Sequence, residues 1–413
     1  MKKKGAQHRE HHPPKGVQHK EPPAKASHAG GSSLAELFDA RLVALMLAVK
    51  ALVLLFGTQA FLVSSNQSLA ALSKGSSGDW LSSWDGWFSI WNRWDAPHYL
   101  DIARMGYVKE GVEARWIVFY PLYPWLVRVF AFVTQDELLS AFFVSAVASL
   151  AAGLLLHRLA ELDEEESVAR ASVFFLFVFP TSYFLHIGYT ESLFIALAVG
   201  AFFAARLRRW WLAGVVGALA CMTRVNGLAL IPALAFEAFE EYRRGGRRLR
   251  VEWLWLLLPA AGFGVYLLIN LKVFGDALAF LRAQDQFWQK SLTWPWVGIG
   301  GAWNSIWARA PSEAQMVGWQ EFFFVLLGLA LTVWSWLRLR TSYAVWMSLN
   351  WLLWTSTHFV LSVPRYTLVM FPAFILFARA SRSRPLVGAI ITVWSLLFLA
   401  LFVTRFVQGY WAF

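Results

Sequence analysis

Between Leu42 and Val63 the chain runs the thickness of a bilayer with Lys50 as its one charged residue. A spanning helix needs ~20 mostly apolar residues. Ten further stretches meet or approach that length: residues 138–157, 169–187, 190–206, 210–223, 225–240, 252–273, 320–338, 343–361, 366–380 and 386–407. Of these, 210–223 and 225–240 are short for a crossing. A soluble reading would need two or three domains joined by polar linkers, and past residue 40 the sequence offers none. With 58% hydrophobic residues and only 15% charged, against about 25% charged in soluble domains, the apolar material belongs in lipid. The expected fold is an all-α polytopic integral membrane protein with about eleven transmembrane helices, residues 38–413 forming one domain.

A net charge of +11 raises the question of nucleic acid, and its placement answers it. Lys2, Lys3, Lys4, Arg9, Lys15, Lys20 and Lys25 crowd a Pro/Gly/His-rich start without hydrophobic periodicity. Residues 1–37 therefore read as a disordered basic cytoplasmic tail, and no nucleic-acid partner is expected. The tail is long for a secretion signal, and the apolar run after it lacks a clear small-residue cleavage site. His8, His11, His12, His19 and His28 are irregularly spaced and have no cysteine beside them, so weak metal binding is the lesser reading. Cys221, the sole cysteine, falls in an apolar stretch, which excludes a disulfide framework and suits a small buried hydrophobe.

Orientation follows from the short basic loops. With the tail inside, Arg158 and Arg170, then Arg206, Arg208 and Arg209, the cluster from Arg243 to Arg250, Arg338 with Arg340, and Arg379 with Arg382 and Arg384 all fall on the inner side. A missed or invented helix would put alternate clusters on the wrong face. Asp163 to Glu166 also lies inside, where a solvated loop explains it. No repeat at a fixed period supports a transporter built of matching halves.

The same topology leaves two long outer loops, residues 64–137 and 274–319. Long loops are usually functional or disordered. Trp80, Trp84, Trp87, Trp91 and Trp94 stand in the first, and Trp288, Trp294, Trp296, Trp303 and Trp307 in the second, residues suited to the membrane interface. The proline-broken stretch from Phe119 to Arg128 reads as an interfacial or dipping helix.

The first loop holds the densest polar group, from Trp91 to Tyr107. An acid among aromatics at a membrane surface is poorly solvated, which raises its pKa and suits it to take a proton near neutral pH. Asp95 is thus the candidate catalytic base. The local alternative is a helix cap before Ala96 and Pro97, which leaves an oxygen free for a pocket. His98, three residues on, is placed to orient Asp95 or an acceptor.

These residues carry a resemblance. The run WDAPHYLDIARMGY from Trp94, FYPLYP from Phe119, FPTSYFLHIGYTESLF from Phe179 and TRVNG from Thr223 resemble the PIG-V family of mannosyltransferases, which includes enzymes of GPI-anchor synthesis and prokaryotic relatives. The resemblance spans roughly residues 40–380 and leaves the second outer loop and the tail unplaced. It implies a GT-C-type fold and a glycosyltransferase with no cofactor. The implied donor is mannose on a polyprenyl or dolichyl phosphate. The acceptor is a glycan or glycolipid, reached at the outer face by inverting transfer.

Inversion needs a base on the acceptor hydroxyl, and Asp95 matches the family's acid in the first outer loop. The lipid phosphate leaves as a stable anion and needs only fixed positive charge. Arg365, with Tyr366 as hydroxyl donor, and then Arg224 are the candidates, since guanidinium binds phosphate through a forked pair of donors. The alternative for each is an interfacial arginine reaching to water. Glu191 resembles the acid of the family's YTES run and is assigned with Tyr99 and Asp101 to substrate binding. Its local alternative is a first-turn acid behind a Thr190 cap. A metal held by Asp95 and Glu191 is disfavoured, because no nucleotide diphosphate needs shielding.

Three competitors remain: a transporter, which would bury charge mid-membrane; a flippase, which would show arginines without a base; and a transferase using arabinose or glucose. The absence of eukaryotic retention signals points to a prokaryotic relative in the plasma membrane, with the endoplasmic reticulum as the eukaryotic counterpart.

Overall fold

A computed structural model describes residues 39–65 and 85–413. The basic tail, its histidines, Trp80 and Trp84 lie outside the described residues. What is described is almost wholly helical, with an isolated antiparallel bridge between Leu292 and Thr357. In chain order the principal helices are α1 (Ala40–Ser65), α2 (Ala96–Met105), α3 (Leu122–Thr134), α4 (Glu137–Glu161), α5 (Glu166–Val178), α6 (Glu191–Arg206), α7 (Trp210–Cys221) and α8 (Leu230–Arg244). There follow α9 (Leu258–Phe274), α10 (Ala279–Trp288), α11 (Pro295–Ala308), α12 (Glu321–Arg338), α13 (Thr341–Thr355), α14 (Val363–Thr367), α15 (Pro372–Ser383) and α16 (Pro385–Val407).

Helix occurs in all eleven stretches expected from the sequence, but not all are whole spans. Among the described residues five are long and apolar enough to cross a bilayer: α1, α4, Val251–Phe274, Pro311–Arg338 and α16. A sixth is added if Val112–Val118 and α3, bent by 116°, are counted together. The shortfall has local causes. α5 stops at Val178, and Phe179 is extended (φ −58°, ψ 148°) because Pro180 disfavours helix in the residue before it. The stretch 225–240 opens with a 3₁₀ turn, Val225–Ala229. Residues 343–361 leave the helix after Thr355. α15 starts afresh at Pro372, a residue preset for a first turn.

The helices that pass the length test turn apolar side chains outward. Leu52 and Val63 of α1, Leu337 of α12 and Leu397 of α16 are each at least 65% exposed. Polar side chains such as Ser145, Ser149, Asn270 and Asn350 are buried, the reverse of a soluble protein. Backbones approach closely through glycine. A Cβ on Gly262 of α9 would stand 2.1 Å from the Ala218 carbonyl oxygen of α7, whereas one on Gly264 would meet nothing within 4 Å. Small residues permit such contact where no hydrophobic effect drives helices together.

α6 relates the two charged regions of the molecule. Glu191 opens it and Arg206 closes it, about 22 Å away at 1.5 Å per residue. At the Arg206 end the basic clusters meet acids in several separate groups of ion pairs. Arg206 binds Asp163 at 2.6 Å, Arg340 binds Glu237 at 2.9 Å and Glu240 at 2.5 Å, Arg250 binds Glu241 at 2.5 Å, and Arg379 is paired with Glu164. Arg170 reaches Asp39, just before α1, at 3.0 Å. The clusters assigned to one side by counting spans therefore do share one end of the molecule.

Gly262→Ala should lower stability in detergent by ~1–3 kcal/mol through overpacking. Gly264→Ala should be neutral or stabilising by up to ~1 kcal/mol. Thermal unfolding of the two variants beside the parent measures the difference.

Candidate active site

At the Glu191 end of α6, four of the residues singled out in the sequence meet, drawn from four separated segments. Arg365 stands between two carboxylates. Its Nη1 donates to Asp95 Oδ2 at 2.8 Å, and its Nε lies 3.3 Å from Glu191 Oε1. The second contact is an ion pair without hydrogen-bond alignment, since Nε has no hydrogen-bond acceptor. Arg224 Nη1 grips the same Glu191 oxygen and donates to Thr190 Oγ1 at 3.1 Å. Side-chain exposure is 0% for Glu191, 8% for Arg365, 13% for Arg224 and 22% for Asp95.

Both local cap alternatives give way to this pairing. Asp95 does occupy the cap position of α2, with Pro97 in the first turn, but its side chain makes no cap hydrogen bond. Thr190 likewise leaves the α6 amides uncapped and turns to Arg224. Trp94 takes a left-handed backbone, φ 57°, uncommon for a bulky residue and a recurrent mark of functional turns. The Asp95 amide donates to Tyr189 Oη at 3.2 Å, and that hydroxyl donates to the Arg93 carbonyl at 2.7 Å, which pins the turn.

The turn bearing Arg365 is fixed by a residue the sequence reading passed over. Glu321, fully buried, accepts from the Ser362 and Val363 amides at 2.7 Å each. Ser362 is left-handed, φ 73°, so the carboxylate holds a turn the chain would otherwise avoid. Thr181 of the FPTSYF run donates to the Pro364 carbonyl at 2.9 Å. The available signal was an acid at the head of an apolar span, a functional mark by default.

Lys290 is the second residue missed. The Leu292–Thr357 bridge, with Thr293 N donating to Ser356 O at 3.0 Å, draws the second outer loop over the site. Lys290 Nζ then donates to the Tyr366 hydroxyl at 3.0 Å. Three cations face the Tyr366 ring, with Lys290 at 5.0 Å, Arg224 at 5.4 Å and Arg365 at 5.5 Å from its centroid. Lys290 has no ion pair among the described residues, and Glu321 lies within electrostatic reach of both Lys290 and Arg365.

Asp95 departs from expectation in its proton affinity. Burial pushes its carboxyl up, as anticipated. The charge and hydrogen bond of Arg365, with His98 and Lys290 beyond, more than offset this and hold it below the usual carboxylate range. His98 does not bond the Asp95 side chain. It stacks on Trp116, centroids 3.6 Å apart, and its Nδ1 is buried without a partner. Burial pushes its imidazole below the ordinary value against the pull of Asp95 and Asp101. Tyr99 is buried edge-on to Phe119 at 5.1 Å and Tyr123 at 5.4 Å. Asp101 lies on α2 with no hydrogen bond or ion pair among the described residues. Trp116, Phe119 and Trp288 form an aromatic wall beside His98, with Trp288 5.8 Å from Phe119.

The sequence profile described as Mannosyltransferase (PIG-V) matches residues 37–250, just over half of the chain. The chain belongs to the PIG-V mannosyltransferase family. Asp95, His98, Tyr99, Asp101, Glu191 and Arg224 lie inside the match, while Arg365, Tyr366, Lys290 and Glu321 lie beyond it. GPI mannosyltransferase 2 of Schizosaccharomyces pombe is 26% identical over 194 residues, 45% of this chain and 40% of that protein. GPI alpha-1,6-mannosyltransferase 2 of Mus musculus is 30% identical over 209 residues, 48% of this chain and 41% of that one. The match thus spans less than half the length of these relatives. Among solved structures, the apo Archaeoglobus fulgidus oligosaccharyltransferase aligns over 89% of this chain and 56% of its own, with 14% identity and a TM-score of 0.43.

Arg365→Gln should destabilise by ~3–5 kcal/mol, because it strips a partner from two carboxylates. Asp95→Asn should cost less, since Arg365 keeps Glu191, and the double variant should cost less than the two together. The Asp95 contribution is present above its unfolded pKa, ~3.9, and is lost as pH falls through the lower folded value. Unfolding of parent and Asp95→Asn should therefore differ constantly from pH 7 to about 5 and converge only below about 4.

Proposed function

We propose that this family member is an inverting mannosyltransferase of the GT-C type, which takes mannose from a polyprenyl-phosphate or dolichyl-phosphate carrier at the non-cytoplasmic face. The observation that carries the reading is the Lys290 ammonium, without an ion pair among the described residues, close to the Arg365–Asp95 pair at the end of α6 opposite the basic clusters. A sugar-linked lipid phosphate carries one negative charge, which an unpaired ammonium beside two guanidiniums suits.

In this reading the phosphate lies against Lys290, Arg224 and Arg365, with the Tyr366 hydroxyl as a further donor. The sugar rests on the wall of Trp116, Phe119 and Trp288. The acceptor hydroxyl oxygen attacks the anomeric carbon, and the carbon–oxygen bond to phosphate breaks with its electron pair going to the phosphate. Asp95 receives the hydroxyl proton. The cations stabilise charge as it develops on the leaving group, which is where fixed charge accelerates a reaction. A phosphate sharing Arg365 draws it from Asp95 and so raises the basicity of the carboxylate when a donor is present. Glu191, held by both arginines, positions them, and Glu321 positions the turn that carries Arg365.

Membranes containing this chain should transfer label from polyprenyl-phosphate mannose. Transfer that occurs only from GDP-mannose with carrier synthesis blocked would overturn the donor assignment. Asp95→Asn should lower turnover by about 10²- to 10⁴-fold while retaining the donor, whereas a carrier protein would keep transport. Lys290→Ala should raise the KM for donor by about tenfold or more with a smaller effect on kcat. Steady-state kinetics on the two variants separates base from phosphate ligand.

A further inference from the structure

The far end of the molecule carries two adjoining cavities of about 340 and 420 Å³, which share Glu240, Arg244 and Thr341. Neither belongs to the carboxylate cluster, since α6 separates them from it. Four acids stand in or behind their walls, and three arginines pair with all of them. Arg206 binds both oxygens of Asp163 at 2.6 and 2.8 Å. Arg379 Nε donates to Glu164 at 2.6 Å. Arg340 donates to Glu237 at 2.9 Å twice and to Glu240 at 2.5 Å.

Three more guanidiniums stand on the rim. Among the described residues Arg243 and Arg338 have no ion-pair partner, and Arg244 keeps one 3.3 Å contact to Glu240 with its side chain 73% exposed. Six guanidiniums against four carboxylates leave a pocket that attracts anions. Thr341, in both walls, opens α13, whose first amides have no side-chain cap, and uncapped amides add to the preference for an anion.

The apolar surroundings select the kind of anion. Phe236 and Phe239 line the second cavity and are 37% and 51% exposed, and Leu337, beside Arg338 at the end of a candidate span, is 72% exposed. A soluble phosphate has no use for that surface, whereas acyl chains beside a headgroup do. Basic pockets between helices at a membrane boundary recognise anionic headgroups in this way. We propose that the paired cavities bind an anionic phospholipid, with its phosphate among Arg243, Arg244 and Arg338 and its acyl chains along Phe236, Phe239 and Leu337.

The test is native mass spectrometry and thermal unfolding of the full chain in detergent with phosphatidylglycerol, phosphatidylcholine or inorganic phosphate. Phosphatidylglycerol should form retained adducts and raise the unfolding temperature, and neither of the others should do so at equal concentration. The triple change Arg243→Gln, Arg244→Gln, Arg338→Gln should weaken phosphatidylglycerol binding by about tenfold or more. The matching triple change to Lys should retain binding, which shows that the loss is one of charge and not of folding. Equal binding of phosphatidylcholine, equal protection by inorganic phosphate, or unchanged affinity in the Gln variant would overturn the proposal.

Discussion

The structure depends on one arginine shared by two acids. Arg365 joins Asp95, 270 positions away in the chain, to Glu191 on α6, and Arg224 completes the group on the same Glu191 oxygen. An ionised group in this setting is tolerable only when paired and hydrogen-bonded. The four residues therefore constrain one another, and the segments that deliver them must be held as firmly as the charges. Buried ion pairs are weak contributors to stability compared with well-packed apolar residues. Stability alone does not account for their presence.

The delivering segments are the irregular ones. Residues 179–190, 223–229 and 356–371 carry Tyr189, Arg224 and Arg365, and they run as turns, 3₁₀ helix and extended backbone apart from the five-residue α14 that holds Arg365. Non-helical backbone at membrane depth survives only where protein satisfies its amides and carbonyls. Here it does: Glu321 takes the Ser362 and Val363 amides, Thr181 donates to the Pro364 carbonyl, and Tyr189 donates to the Arg93 carbonyl. At Gly227 a side chain would strike the Cys221 amide, 2.6 Å from a Cβ, so the turn that sets Arg224 requires glycine. The breaks that divide the apolar stretches into pieces too short to span are thus the features that build the site.

This explains what could be read from the sequence. All-helical character, membrane residence and the gathering of basic clusters at one end follow from hydropathy and arginine placement, which depend on local composition. Asp95, Glu191, Arg224 and Arg365 were legible because charge in an otherwise apolar chain is conspicuous and because the runs that carry Asp95, Glu191 and Arg224 resemble the family's. Their partners were not. A helix-cap reading of Asp95 or Thr190 is sound on local grounds, and only the approach of an arginine from a distant segment overrides it. Lys290 arrives through a bridge between residues 292 and 357, a pairing that no local pattern encodes. The low proton affinity of Asp95 has the same origin, since the aromatic surroundings are visible in sequence and the guanidinium that outweighs them is not.

A base held below its ordinary pKa looks ill-suited to taking a proton, yet the proposed chemistry places it well. A freely ionised carboxylate in the resting site would repel an incoming phosphate, and a protonated one could not act. Pairing with Arg365 keeps Asp95 ionised while screening its charge. The same arginine lies 5.5 Å from the Tyr366 ring, beside Lys290, where it is available to a phosphate. As charge builds on the leaving oxygen, Arg365 is drawn toward it and Asp95 loses part of its compensation. Bond breaking at phosphate and proton uptake at the carboxylate are then coupled through one guanidinium, which a lysine, as a single-point donor, would not join in the same way.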